Sequence, residues 1–142
     1  MTIPPLLMLA EGRKPRPRKA PTNRPKEIEL HTSVAALLRK HARTDWLWTH
    51  VPNGELRDIR VAAKLKRMGA QAGWPDFILV APGGRLYCLE LKRRGETLSE
   101  AQEAFRHRCI VAGVPYVVAD NMPDVLTALR QWGVLVDEGG AI

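Results

Sequence analysis

The sequence predicts a single α/β domain, a mixed β-sheet with helices on its faces, behind a disordered basic arm. Three observations carry this expectation. Helical and strand periodicities follow one another in the order helix, strand, helix, hairpin, helix, strand, helix. The 142 residues are enough for one domain with one core. The stretch 1–26 holds six prolines, Pro4, Pro5, Pro15, Pro17, Pro21 and Pro25, among basic residues, a composition that cannot bury apolar surface. The expected division is an arm at 1–26, a folded domain at 27–136 and a short tail at 137–142.

Each element has a local cause. From Glu27 to His41 the apolar positions Leu30, Val34, Leu37 and Leu38 follow the helical period. Trp46–Val51 reads as a strand stopped by Pro52-Asn53-Gly54. Glu55–Met68 reads as a helix ended by Gly69, with Arg57, Arg60, Lys64 and Arg67 on one face. Such a stripe is commonly a solvated face, but its single sign suits phosphate contact. Phe77–Val80 and Arg85–Lys92 form a hairpin through Ala81-Pro82-Gly83-Gly84. Ser99-Glu100-Ala101-Gln102 is a capping box that opens a helix running to Gly113, with Ala101, Phe105, Cys109 and Ala112 as its buried stripe. Pro115–Ala119 reads as a buried strand. Pro123 suits the first turn of a last helix through Leu126 and Leu129 to Trp132.

Charge is unevenly placed. The chain carries a net +7, and residues 1–26 hold seven basic residues against Glu11 alone. The arm is therefore a tether to phosphate backbone, a solubilising leader or a stretch ahead of the true start. Cys88 and Cys109 lie in no CxxC or Cys/His spacing, which speaks against structural zinc and for a reduced, cytoplasmic protein. Leu6–Ala10 is too short to span a membrane and has no charged segment before it.

The chemistry concentrates on the hairpin. A turn centred near Gly83 pairs positions whose numbers sum to about twice that centre, so Asp76 faces Glu90 at about 5.5 Å. Glu90 and Lys92, two apart in a strand, share a face. Two facing carboxylates repel each other unless a cation lies between them. Oxygen ligands favour magnesium or manganese over zinc. A lone Glu-x-Lys or Pro-Asp is usually an exposed strand face or a turn; their conjunction across a hairpin is far more specific.

Gly73-Trp74-Pro75-Asp76 followed by Glu90-Leu91-Lys92 resembles the PD-(D/E)xK nuclease superfamily and, more narrowly, the VRR-NUC family of virus-type replication and repair nucleases. The matching stretches are His50-Val51-Pro52-Asn53, Lys66-Arg67-Met68-Gly69, Ala72 through Asp76, Leu89 through Lys92, and Gly95 with Leu98 through Gln102. The resemblance runs from about Glu27 to Trp132. It implies a restriction-endonuclease-like sandwich and magnesium-dependent cleavage of DNA, with manganese as a substitute, at branched or flapped structures. It makes Asp76 and Glu90 metal ligands, Lys92 the catalytic lysine and Gln102 a site glutamine. It also places a first-helix glutamate near the metal, at Glu29 or, failing that, Glu27; an acid there also favours the helix dipole. Asn53 matches as well, and joins Arg57, Arg60, Lys64, Arg67, Arg93 and Arg94 as candidate DNA contacts. Two positions depart from the family pattern: His31 stands where glutamine is expected, which argues against a role for it, and Trp74 replaces a smaller residue. His41, His50 and His107 are assigned no role. The competing readings are a non-catalytic nucleic-acid-binding module with the same fold, and a phage or mobile-element structural protein carrying an incidental motif. Fold-level analogy adds a homodimer to the expected partners.

Overall fold

The computed structural model describes residues 24–52 and 58–137. Helix α1 (Arg24–His41) begins three residues before the expected Glu27. Pro25 falls in its first turn, where the missing N–H has no intrahelical partner to lose. Strand β1 (Leu47–His50) is followed by helix α2 (Ile59–Arg67). The expected start of α2 at Glu55 is corrected: Asp58 has non-helical torsions, and its carboxylate caps Arg60 N at 3.0 Å. Strands β2 (Phe77–Val80) and β3 (Leu86–Leu91) form the hairpin. Helix α3 (Glu100–Ala112), strand β4 (Tyr116–Ala119) and helix α4 (Met122–Trp132) complete the domain.

The sheet order is β1-β2-β3-β4. The first three strands are antiparallel; β3 and β4 are parallel, with α3 as the crossover between them. Strand β3 is buried on both faces from Cys88 through Leu91. Leu89 and Leu91 point into the main core with Val34 and Leu38 of α1 and Val125 and Leu129 of α4. Cys88 and Glu90 point the other way, where α3 supplies Cys109 and Gln102. That alternation makes the layered α/β sandwich. Each buried leucine contributes about 1.5–3 kcal/mol by leaving water, so β3 is held firmly in place.

Both caps of α3 agree with the sequence. Ser99 accepts from Gln102 N, Gln102 accepts from Ser99 N, and Gly113 ends the helix in the left-handed region. The buried stripe is shorter than expected. Cys109 is buried, but Ala112, in the last turn before Gly113, is exposed. Among the described residues no helix is long and apolar enough to cross a membrane.

Candidate metal centre

The site forms at one end of the β2–β3 pair, where α1 contributes His31 and α3 contributes Gln102. In the β2–β3 register Phe77 faces Leu89, and one step further places Asp76 opposite Glu90. Asp76 is fixed from three sides. Its Oδ2 accepts the N–H of Leu91 at 2.7 Å. Its backbone carbonyl accepts from Val51 N and from His50 Nδ1, each at 2.8 Å. Its Oδ1 lies 3.8 Å from His31 Nε2, on α1. The approach to Asp76 is fixed by Gly73, whose φ of +90° suits glycine, and a Cβ there would collide with the backbone carbonyl of Ala101 in α3.

Glu90 is 2% exposed, the one charged residue in the buried set of described residues. Its Oε1 accepts from Gln102 Nε2 at 2.9 Å and lies 3.7 Å from Lys92 Nζ. The amide of Gln102 is fully directed: its oxygen accepts from Ser99 N, which leaves its nitrogen to donate to Glu90. One side chain therefore caps α3 and holds the carboxylate. Lys92 N donates to Ala119 O at 2.9 Å, which continues the parallel ladder and fixes the lysine at the strand end.

The second oxygen, Glu90 Oε2, is buried with no hydrogen-bond partner among the described residues. Burial first, and the charge of Asp76 second, push the Glu90 carboxyl up to about 8, while Lys92 pulls it the other way. With both carboxylates ionised, nothing satisfies Oε2. A proton shared with Asp76 or a bound cation does. Two oxygen donors, one of them orphaned, fit a hard divalent ion. The Tyr116 hydroxyl, on the same face of the neighbouring strand, is also buried and without a partner among the described residues.

The other expected residues divide. Glu29 is exposed on α1 and is not brought to the carboxylate pair; among the described residues no three His, Cys, Asp or Glu side chains converge as a metal cluster. Glu27 does not take its place: its Oε2 lies 3.1 Å from Arg93 Nε. Arg93 also lies 3.2 Å from Glu96, so this guanidinium ties α1 to the turn after β3 rather than standing open to DNA as expected. Arg60, Lys64 and Arg67 are exposed on α2, and Arg94 is exposed beyond β3. Asn53 and Arg57 lie outside the described residues.

Two histidines that the sequence left without a role adjoin Asp76. The rings of His31 and His50 meet edge to face at 5.4 Å, and both pack on Phe77. The signal for His31 was present in the helical phase. His31 lies three residues before buried Val34 and four after Glu27, so all three share a side of α1, while Glu29 lies roughly opposite His31 at about 100° per residue.

The VRR-NUC domain profile matches residues 31–123, well over half of the chain. A solved structure described as a VRR_NUC domain protein superposes with a TM-score of 0.61 at 26% identity, over 75% of this chain and 87% of that one. No curated protein matches. The profile match takes in Asp76, Glu90, Lys92 and Gln102 together with the strands and helix that carry them, and the chain belongs to the VRR-NUC family of nuclease-type domains.

Proposed function

We propose that this protein is a magnesium-dependent endonuclease that hydrolyses DNA phosphodiesters, with selectivity for branched or flapped DNA. The observation that carries the reading is the buried Glu90 carboxylate, whose Oε2 has no partner among the described residues and which lies opposite Asp76. Maintaining two carboxylates there is costly without a cation, and the VRR-NUC family is nuclease-type.

Asp76 and Glu90 would hold the ion, and manganese would substitute for magnesium. When bound, the ion would polarise the phosphoryl oxygen and lower the pKa of a water. The chain's own groups do the rest. Gln102 and Leu91 N keep the two carboxylates in place before substrate arrives. Lys92, on the same strand face as Glu90, donates to the attacking water and to the extra negative charge of the pentacoordinate transition state. The exposed cations of α2 and Arg94 meet the flanking phosphates.

The test is cleavage of supercoiled plasmid and of flapped, forked and plain duplex oligonucleotides. Magnesium and manganese should each support cutting, EDTA should abolish it, and flapped or forked DNA should be cut fastest. Full activity in EDTA would remove the metal from the mechanism. Tight DNA binding with no cutting under any metal would favour the non-catalytic module.

A further inference from the structure

Two buried polar atoms beside the metal centre have no hydrogen-bond partner among the described residues, Glu90 Oε2 and the hydroxyl oxygen of Tyr116. The parallel β3–β4 pair brings them together. Cys88 faces Tyr116 and Glu90 faces Val118, so Tyr116 stands two residues from the position opposite Glu90, on the same side of the sheet. Strand spacing and rise put the two side-chain origins about 8 Å apart, within the combined reach of a glutamate and a tyrosine. Helix α3 covers this face. Phe105, three residues after Gln102, packs on Tyr116 with ring centroids 6.3 Å apart, and Gln102 holds Glu90 Oε1.

The two atoms are chemically complementary. The phenol offers one O–H, and an ionised carboxylate oxygen only accepts. Burial first, and the negative charge of Glu90 second, push the Tyr116 hydroxyl pKa up, with Cys88 and Cys109 contributing less. The hydroxyl therefore stays protonated, and it feels Glu90 more than either thiol. No direct hydrogen bond joins the two. Buried polar groups are nearly always satisfied, by ordered water where protein groups do not meet.

We infer that one buried water joins Tyr116 to Glu90, accepting the tyrosine O–H and donating to Oε2, and that Tyr116 is thereby a positioning residue for Glu90. The inference rests on the reading of Asp76 and Glu90 as a metal centre and deepens it. Gln102 fixes one carboxylate oxygen and the water fixes the other, so the carboxylate plane is set before a cation arrives. Oε2 keeps a lone pair for the ion. The water does not lift the repulsion from Asp76, so the cation still has its place.

A crystal structure of the metal-free protein should place one ordered water within about 3 Å of both atoms. Tyr116→Phe removes the hydroxyl and little else. Losing an orphaned buried hydroxyl would raise the melting temperature, whereas losing a bridged one lowers it. In EDTA the variant should melt lower than the wild type. The chain has two tyrosines, Tyr87 and Tyr116. Protein labelled with carbon-13 at tyrosine Cζ therefore gives two signals, which Tyr116→Phe assigns. Still in EDTA, Glu90→Gln should move the Tyr116 signal and leave that of Tyr87 in place. Calorimetric titration should show Tyr116→Phe binding magnesium about tenfold more weakly, the lower end of the scale for partners that hold a ligand. Absence of the water, a melting temperature that stays or rises, a Tyr116 signal indifferent to Glu90→Gln, or an unchanged magnesium affinity overturns the inference. The first three are read without metal, so the two readings fail separately. A protein that binds no magnesium removes the metal centre, and those three still decide the link between Tyr116 and Glu90.

Discussion

Lys92 and Asp76 stand at one site, yet their charges act in opposite directions on an approaching phosphate. Asp76 repels it until a cation intervenes, whereas Lys92 attracts it at all times. Asp76→Asn should therefore abolish cleavage while metal-free DNA binding is kept or tightened. Lys92→Ala leaves both carboxylates and should bind metal normally, yet cut about a hundredfold more slowly or worse. Calorimetric metal titration beside single-turnover cleavage on each variant checks the pair; near wild-type cutting by Lys92→Ala would make the lysine a surface residue. Glu90 adds a pH dependence. Its carboxyl is raised from 4.5 to about 8, so between those values the metal-free folded state keeps a proton that the unfolded chain has released. Stability of the EDTA-treated protein should fall as pH rises through that window and level off above it. Magnesium, which needs the ionised carboxylate, should stabilise increasingly over the same range. Thermal melts from about pH 5 to pH 9, with and without magnesium, read both trends. Glu90→Gln should flatten the first; a slope unchanged in that variant would assign it to other groups.

Elements were legible where a local rule determines them. The hairpin register followed from its turn, and Phe77 opposite Leu89 is the pairing that a centre at Gly83 demands. The capping box of α3 was equally plain from four residues. What escaped was set by packing between elements. His31 and His50 come together because His31 on α1 packs against the His50–Phe77 end of the β1–β2 pair, and nothing in either local sequence states that contact. Arg93 looked like a phosphate contact because its two carboxylate partners lie on α1 and in the following turn. The loop carrying Gly73 tests how much the site depends on such packing. Gly73→Ala forces a side chain into positive φ, at about 1–2 kcal/mol, and drives it against the α3 backbone, which must shift. The melting temperature should fall, and cleavage should fall further than the smaller folded fraction explains, because Asp76 moves with the loop. Wild-type activity per folded molecule would show that the loop tolerates the shift.

Across the whole molecule the charge distribution makes its own prediction. Ahead of α1, residues 1–23 carry five basic residues against Glu11, whereas the chain after residue 26 is nearly neutral. Deleting 1–23 should weaken DNA binding and flatten its salt dependence, by about 0.9 in the log–log slope for each phosphate that the arm no longer neutralises. Single-turnover cleavage at saturating DNA should barely change. An unaltered salt slope would show that the arm does not touch DNA. The described site draws on His31, His50, Asp76, Glu90, Lys92 and Gln102, from both helical layers and three strands or their ends. Its central strand, β3, gains its second neighbour only when β4 is added at Tyr116–Ala119. A nascent chain that has emerged as far as Gln102 thus possesses all these side chains and still lacks the strand that fixes Lys92 N. On the proposed reading, a chain that stops before Tyr116 should not cut DNA, because the sheet that holds Lys92 in place is incomplete without β4.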